Sequence, residues 1–230
     1  MGFPSVALVS ALRETVLDMS TTEQSKTFVA ALELNMSDYG VQLGAEALAR
    51  LAQYYALLTR WNQRLHLVAP ASPQEFATRH ILESLVLLDH LPQSARVADI
   101  GSGAGLPLIP CLIVRPDLNA TLIESSQKKA VFLREALNHV GISRGTKIIA
   151  KPFEETPTPN LDFVTSRALD QFASKIPNLI NWSHPTATLL LFGGEGLRNV
   201  LREASPGYSE FLIPHSERRF LFVVKKELQN

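Results

Sequence analysis

Residues 97–105 read Val-Ala-Asp-Ile-Gly-Ser-Gly-Ala-Gly. An apolar run ends in an acid. Three glycines then alternate with small residues ahead of another apolar stretch. Few backbones accommodate that order: a buried strand, a tight loop, then a helix. Without side chains, Gly101, Gly103 and Gly105 let a nucleotide-like ligand approach the backbone. A helix starting near Ala104 would offer free N–H groups to it.

Around this segment, short apolar runs alternate with helical stretches. Strands are expected at Val97–Ile100, Ala120–Ile123, Lys147–Ala150, Asp162–Thr165, Thr188–Phe192, Glu210–Ile213 and Phe220–Lys225. Helices are expected near Ala104–Val114, Gln127–Val140, Phe172–Asn181 and Leu197–Ala204. Such alternation predicts an α/β fold with a doubly wound, mostly parallel seven-stranded sheet of Rossmann-like type. The short turn before the last strand makes at least one strand antiparallel.

Upstream, Leu48, Leu51, Tyr55, Leu58 and Leu65 recur at helical spacing over Ala45–His66. A second helix runs from about Pro73 to His90, with Phe76, Ile81, Leu85 and Leu88 on its apolar stripe. The expected organisation is an N-terminal extension over 1–40, a helical region over 41–92 that packs on the core, and the Rossmann-like domain over 93–230.

The 230 residues are 46% hydrophobic and 19% charged, enough apolar content for a sizeable core. Net charge is zero, which neither indicates nor excludes nucleic acid. One cysteine, Cys111, excludes an internal disulfide framework and fits a reducing, cytoplasmic compartment. Met1–Leu12 has no basic leader and reads as an ordinary extension. No apolar run is long enough to span a bilayer, and the scattered histidines lack metal-ligand spacing.

A dinucleotide fingerprint places two residues before its last glycine; here there is one, and Asp99 precedes the loop. That favours S-adenosylmethionine, whose ammonium suits acids and which has no pyrophosphate to cradle. Glu124, 25 positions beyond Asp99, ends the second strand, where an acid takes ribose hydroxyls.

At this point the chain resembles the bacterial small-subunit (16S) rRNA guanine-N7 methyltransferase family, also called glucose-inhibited division protein B. The matching residues run from about Leu43 to Lys226. They include Leu58-x-x-Trp61-Asn62, Arg79-His80-Ile81-Leu82-Glu83-Ser84 (the family usually has Asp in place of Glu83) and Asp99 to Pro107. Ile109-Pro110, Arg115-Pro116-Asp117, Lys128-Lys129, Phe132-Leu133, Ser166-Arg167-Ala168, Arg219 and Val223-Val224-Lys225 complete them. The resemblance implies a class I S-adenosylmethionine-dependent fold. It also implies methyl transfer to N7 of a guanine in 16S rRNA or the small ribosomal subunit, by a monomer needing no metal.

It implies cofactor contacts from Asp99, Gly101, Ser102, Gly103, Gly105, Leu106, Glu124, Ser125, Phe153, Glu154, Glu155 and Arg167. Glu154 or Glu155 would accept from the adenine amino group. Arg167, ending a strand, is the expected catalytic residue, pointing into the crevice toward guanine O6 or a phosphate. Its alternative is an ion pair with Glu83. Arg79, His80, Ser84, Lys128 and Arg219 are the expected substrate contacts. For the helix residues the alternative is an Arg79–Glu83 pair and a core histidine. Cys111 is expected as a packing residue.

Two positions depart from the family. Leu191-Phe192-Gly193-Gly194 stands where Leu-Lys-Gly is usual, and Lys151 stands where an arginine is usual. The competing expectations are a methyltransferase acting on another RNA base or a small molecule, and a ribosome-binding relative without turnover.

Overall fold

The computed structural model describes residues 22–142, 144–167, 172–204 and 207–226, with 172 and 173 as backbone only. Of the segments singled out above, residues 1–21 and Ala168 lie outside these. Seven strands form one sheet: β1 (Arg96–Ile100), β2 (Asn119–Ile123), β3 (Thr146–Ile149), β4 (Phe163–Ser166), β5 (Thr188–Gly193), β6 (Tyr208–Leu212) and β7 (Phe220–Lys225). Their spatial order is β3-β2-β1-β4-β5-β7-β6. The first five are parallel, and β7 runs antiparallel to both β5 and β6. The order reverses beside β1, so the switch point lies between the carboxyl ends of β1 and β4.

The helices are α1 (residues 22–35), α2 (Ala45–Leu65), α3 (residues 73–90), α4 (Leu108–Val114), α5 (Gln127–His139), α6 (Phe172–Trp182) and α7 (Glu195–Ala204). Strand parity sorts them into two layers. Leu190 and Phe192 of β5 join a core with α1–α5, while Leu189 and Leu191 face α6 and α7. Alternate residues of a strand point to opposite faces, so a run apolar throughout belongs to a sheet covered on both sides.

α4 explains why the N-terminal helices pack where they do. Every residue from Leu108 to Ile113 is buried. A helix apolar all round must be covered all round, and α2 and α3 supply that cover. Residues 22–40 belong to the same core: Phe28 stacks on Tyr55 at 4.5 Å and leans on Phe76. Asn62 braces the exit from α2 by exchanging two 3.0 Å hydrogen bonds with the backbone of Val68.

The helix after the glycine loop begins at Leu108, not at Ala104 as expected. Gly101, Gly103 and Gly105 take φ of 72°, 50° and 83°, in the left-handed region, which no right-handed helix includes. The first helical amide is therefore that of Ile109, donating to Gly105 O. α3 is also irregular. A wide π turn spans Phe76–Leu82, and the segment Val86–His90 tightens to 3-10 geometry. Wide turns of this kind occur frequently at functional sites.

Candidate active site

The glycine loop sits at the carboxyl end of β1, and the amides of Gly101, Ser102, Gly103 and Gly105 are already used. Gly101 and Ser102 donate to Ile123 O, and Gly105 donates to Ser102 O. Gly103 donates to Glu124 Oε2 at 2.8 Å. The other oxygen of Glu124 accepts from Ser126 N at 2.8 Å. Glu124 thus locks the loop to the end of β2, keeping lone pairs for two hydroxyls. Gly105 has no room for a side chain: a Cβ would lie 2.3 Å from Ile109 Cδ1. Gly105→Ala, also strained at φ 83°, is expected to cost roughly 1–3 kcal/mol in chemical denaturation.

Asp99 lies beneath this loop, fully buried. Neither carboxylate oxygen has a hydrogen-bond partner among the described residues. Burial pushes its carboxyl up to about 8. Ser102 Oγ donates to the Asp99 carbonyl, not to its side chain. A buried carboxyl without a partner, with a second acid beside it and few loop amides left over, suits a cation that can displace its proton better than a pyrophosphate. That is the charge pattern S-adenosylmethionine requires.

Tyr54 of α2, which the sequence stripe passed over in favour of Tyr55, donates its hydroxyl to Ala104 O at 2.6 Å. It is fully buried. The only signal in the sequence is a phenol on an apolar helix face, which needs a partner once buried. Tyr54→Phe should orphan that carbonyl, cost about 1–3 kcal/mol in denaturant midpoint measurements, and loosen the loop.

Arg167 follows β4, and its guanidinium does not stand free in the crevice as expected. It turns onto α3. Nη1 donates to Ser84 Oγ at 3.0 Å and to His80 O at 3.2 Å. Nη2 donates to Arg79 O and, at 3.2 Å, to Glu83 Oε2. Five donors in a planar fork reach these separate acceptors where a lysine could not. Its other face lies 5.6 Å from the ring centre of Phe192, the residue at the usual lysine position. Ser166 ties β4 to β1 by donating to Ile100 O at 2.8 Å.

Glu83 is the hub. Its buried carboxylate also accepts from Arg219 Nε at 3.0 Å and Nη2 at 2.6 Å. The alternative Arg79–Glu83 pair is not formed: Glu83 turns inward to two arginines, and Arg79 pairs with Glu75. His80 rests on Phe76 at 4.9 Å, and burial beside Arg167 pushes its pKa down to about 4. Its Nδ1 is buried and has no hydrogen-bond partner among the described residues.

The remaining expected residues spread around the strand ends. Leu106 is buried, while Ser125 and Lys128 are exposed at the start of α5. Phe153 is buried edge-on to Trp182 at 5.7 Å. Glu154 and Glu155 are exposed in the turn after β3, with Glu154 3.4 Å from Lys175. Cys111 is buried and donates to Ser84 O at 3.3 Å, so it packs and does not react. Among the described residues no three His, Cys, Asp or Glu gather as metal ligands. No described helix is long and apolar enough to cross a membrane.

A profile of the family described as rRNA small subunit methyltransferase G matches residues 47–209. The chain belongs to this family. The ribosomal RNA small subunit methyltransferase G of Halorhodospira halophila is 35% identical over 184 residues, covering 80% of this chain and 87% of that protein. The protein of the same name from Xanthomonas campestris pv. campestris is 40% identical over 191 residues, covering 80% and 90%. In fold, the chain is similar to a structure of MtNAS in complex with S-adenosylmethionine: TM-score 0.53, 17% identity, covering 80% and 78%. A SAM dependent methyltransferase from Aquifex aeolicus gives TM-score 0.50 at 15% identity, covering 65% and 92%.

The sheet is thus that of a class I methyltransferase, and a member of the methyltransferase G family uses S-adenosylmethionine as methyl donor. When bound, this cofactor supplies an electrophilic methyl group and departs as a neutral thioether. The turn at Phe153–Glu155 follows the end of β3.

Proposed function

We propose that this chain methylates N7 of a guanine in 16S rRNA, working as a cytoplasmic monomer. What carries this reading is the pairing of an acidic cofactor loop with a crevice wall of arginines that supplies no strong base. Guanine N7 presents a lone pair and needs no deprotonation, so alignment suffices. His80, with its pKa pushed down to about 4, is a poor proton acceptor. The buried Cys111 thiol is pushed up and shielded. Arg167, Glu83 and Arg219 instead fix α3 against the strand ends. Arg167 acts in this reading as a positioning residue for that wall. Arg79, His80, Ser84, Lys128 and Arg219 form the substrate side, and Asp99, Glu124 and the turn at Phe153–Glu155 the cofactor side.

The test is transfer of labelled methyl from S-adenosylmethionine to small subunits lacking the modification, followed by base mapping. Label at N7 of a single guanine is expected. Transfer to a small molecule or another base, or none to guanine, overturns the reading. Arg167→Lys should retain cofactor affinity by calorimetry while lowering kcat about 10²-fold, because a point charge cannot replace the fork. Undiminished turnover would remove Arg167 from the wall.

A further inference from the structure

A cleft of about 390 Å³ opens beside the wide turn of α3, with no residue of the glycine loop in its lining. Its lining is Asn35, Tyr39, Thr78, Arg79, His215 and Arg219. These come from the end of α1, the 3-10 turn Met36–Tyr39, the wide turn of α3 and the β6–β7 hairpin. The lining has no carboxylate. Three acids pair with its side chains: Glu75 with Arg79, Asp38 with His215, and Glu83 with Arg219. Each pairing with an arginine leaves that guanidinium further N–H donors. Arg79 keeps four guanidinium hydrogens beyond the one given to Glu75. Burial and Glu83 push the Tyr39 phenol up, so it stays a neutral donor.

We propose that this cleft binds a backbone phosphate of the RNA substrate, from a nucleotide flanking the target base. The inference rests on the rRNA reading above and deepens it. Converging guanidinium, imidazole and hydroxyl donors around a tetrahedral anion are the chemistry of phosphodiester recognition. The volume lies at the low end of the roughly 300–1,000 Å³ in which ligands sit, large enough for a phosphate with its sugar. Placement supplies the second argument. Arg219 shares the Glu83 carboxylate with Arg167, so the cleft is two ion pairs from the end of β4. A phosphate held there draws on Arg219, and Glu83 passes that constraint to the wall of the crevice. The protein has zero net charge, so its RNA affinity must come from local arrangements of this kind.

The experiment uses the double variant Arg79→Gln/His215→Gln. Both side chains are more than half exposed, at 51% and 57%, so their replacement leaves the fold intact. Binding to undermethylated small subunits and to protein-free 16S rRNA is measured across a salt series. Thermal midpoint and S-adenosylmethionine affinity are measured in parallel. Expected results are about tenfold weaker binding to both RNAs, a salt slope shallower by about 0.7–0.9, and a rise in KM larger than the fall in kcat. An unchanged slope and affinity would overturn the phosphate site while leaving rRNA methylation intact. Weakened binding to the subunit but not to protein-free rRNA would reassign the cleft to a ribosomal protein. A wild-type chain that neither binds nor methylates small-subunit RNA would fail the functional reading itself, and the cleft with it.

Discussion

Asp99→Asn is expected to weaken S-adenosylmethionine binding about a hundredfold and, at the same time, to stabilise the cofactor-free protein above neutral pH. Both effects follow from one carboxyl group, fully buried and without a hydrogen-bond partner. Its pKa is pushed up by burial from the ordinary 3.8 to about 8. The folded chain therefore keeps a proton that the unfolded chain has lost. The stability contributed by this proton is full below about pH 4 and drains away as pH rises through 8. Asparagine removes the ionisation and with it that drain. The gain should be about 1–3 kcal/mol at pH 8, or roughly 2–4 °C in thermal midpoint per kcal/mol. The cofactor side has the opposite sign. A cation above an ionised, desolvated carboxylate gains about 3 kcal/mol, a hundredfold in Kd.

The same group makes cofactor affinity pH-dependent. Below about pH 8, binding must first expel the Asp99 proton, so affinity should rise by up to tenfold per pH unit toward 8. Above that, the ligand's own ammonium, with an ordinary value of about 7.7–8.0, loses its charge. The maximum should lie close to pH 8, and Asp99→Asn should flatten the acidic limb. Calorimetry in buffers of differing ionisation heat reads the released proton directly. A wild-type affinity flat from pH 6 to pH 8 would remove Asp99 from cation recognition.

Glu83→Ala should be among the most destabilising single substitutions in the protein. Its side chain is 3% exposed and takes hydrogen bonds from two arginines. Without it, Arg167 is left in the interior against Phe192 with no counter-charge. Losing one partner of a buried ionic cluster costs about 3–5 kcal/mol, or roughly 6–20 °C in thermal midpoint for a chain of this size. Glu83→Gln, which keeps shape and loses charge, should cost less. It supplies a variant that still folds, in which cofactor binding persists while methyl transfer falls. The network also predicts non-additivity: Arg219→Gln should cost less in a Glu83→Gln background than alone. Additive effects would show that the two arginines do not depend on one carboxylate.

The chain order of elements, the two-sided burial of the sheet and the acidic cofactor loop were legible in the residues themselves. Alternating short apolar runs with helical stretches leaves little choice but a doubly wound sheet. Glycine spacing together with Asp99 and Glu124 favours a cationic ligand over a pyrophosphate. These are local properties, carried by residues within a few turns of one another. Orientation across the fold was not legible. No spacing rule distinguishes an Arg167 that faces the crevice from one folded back onto α3, because 84 positions separate it from Glu83. The Tyr54 hydroxyl on Ala104, 50 positions away, is equally silent. So is the meeting of Tyr39, Arg79, His215 and Arg219 around one cleft. Sequence by itself determined which segments are strands and helices, and it set acids before and after a glycine loop at 101–105, a pattern that favours a cationic ligand. Only the tertiary structure decided how the arginines are shared. Long side chains choose among distant acceptors by packing and charge, and those acceptors exist only once α3, the strand ends and the β6–β7 hairpin have come together.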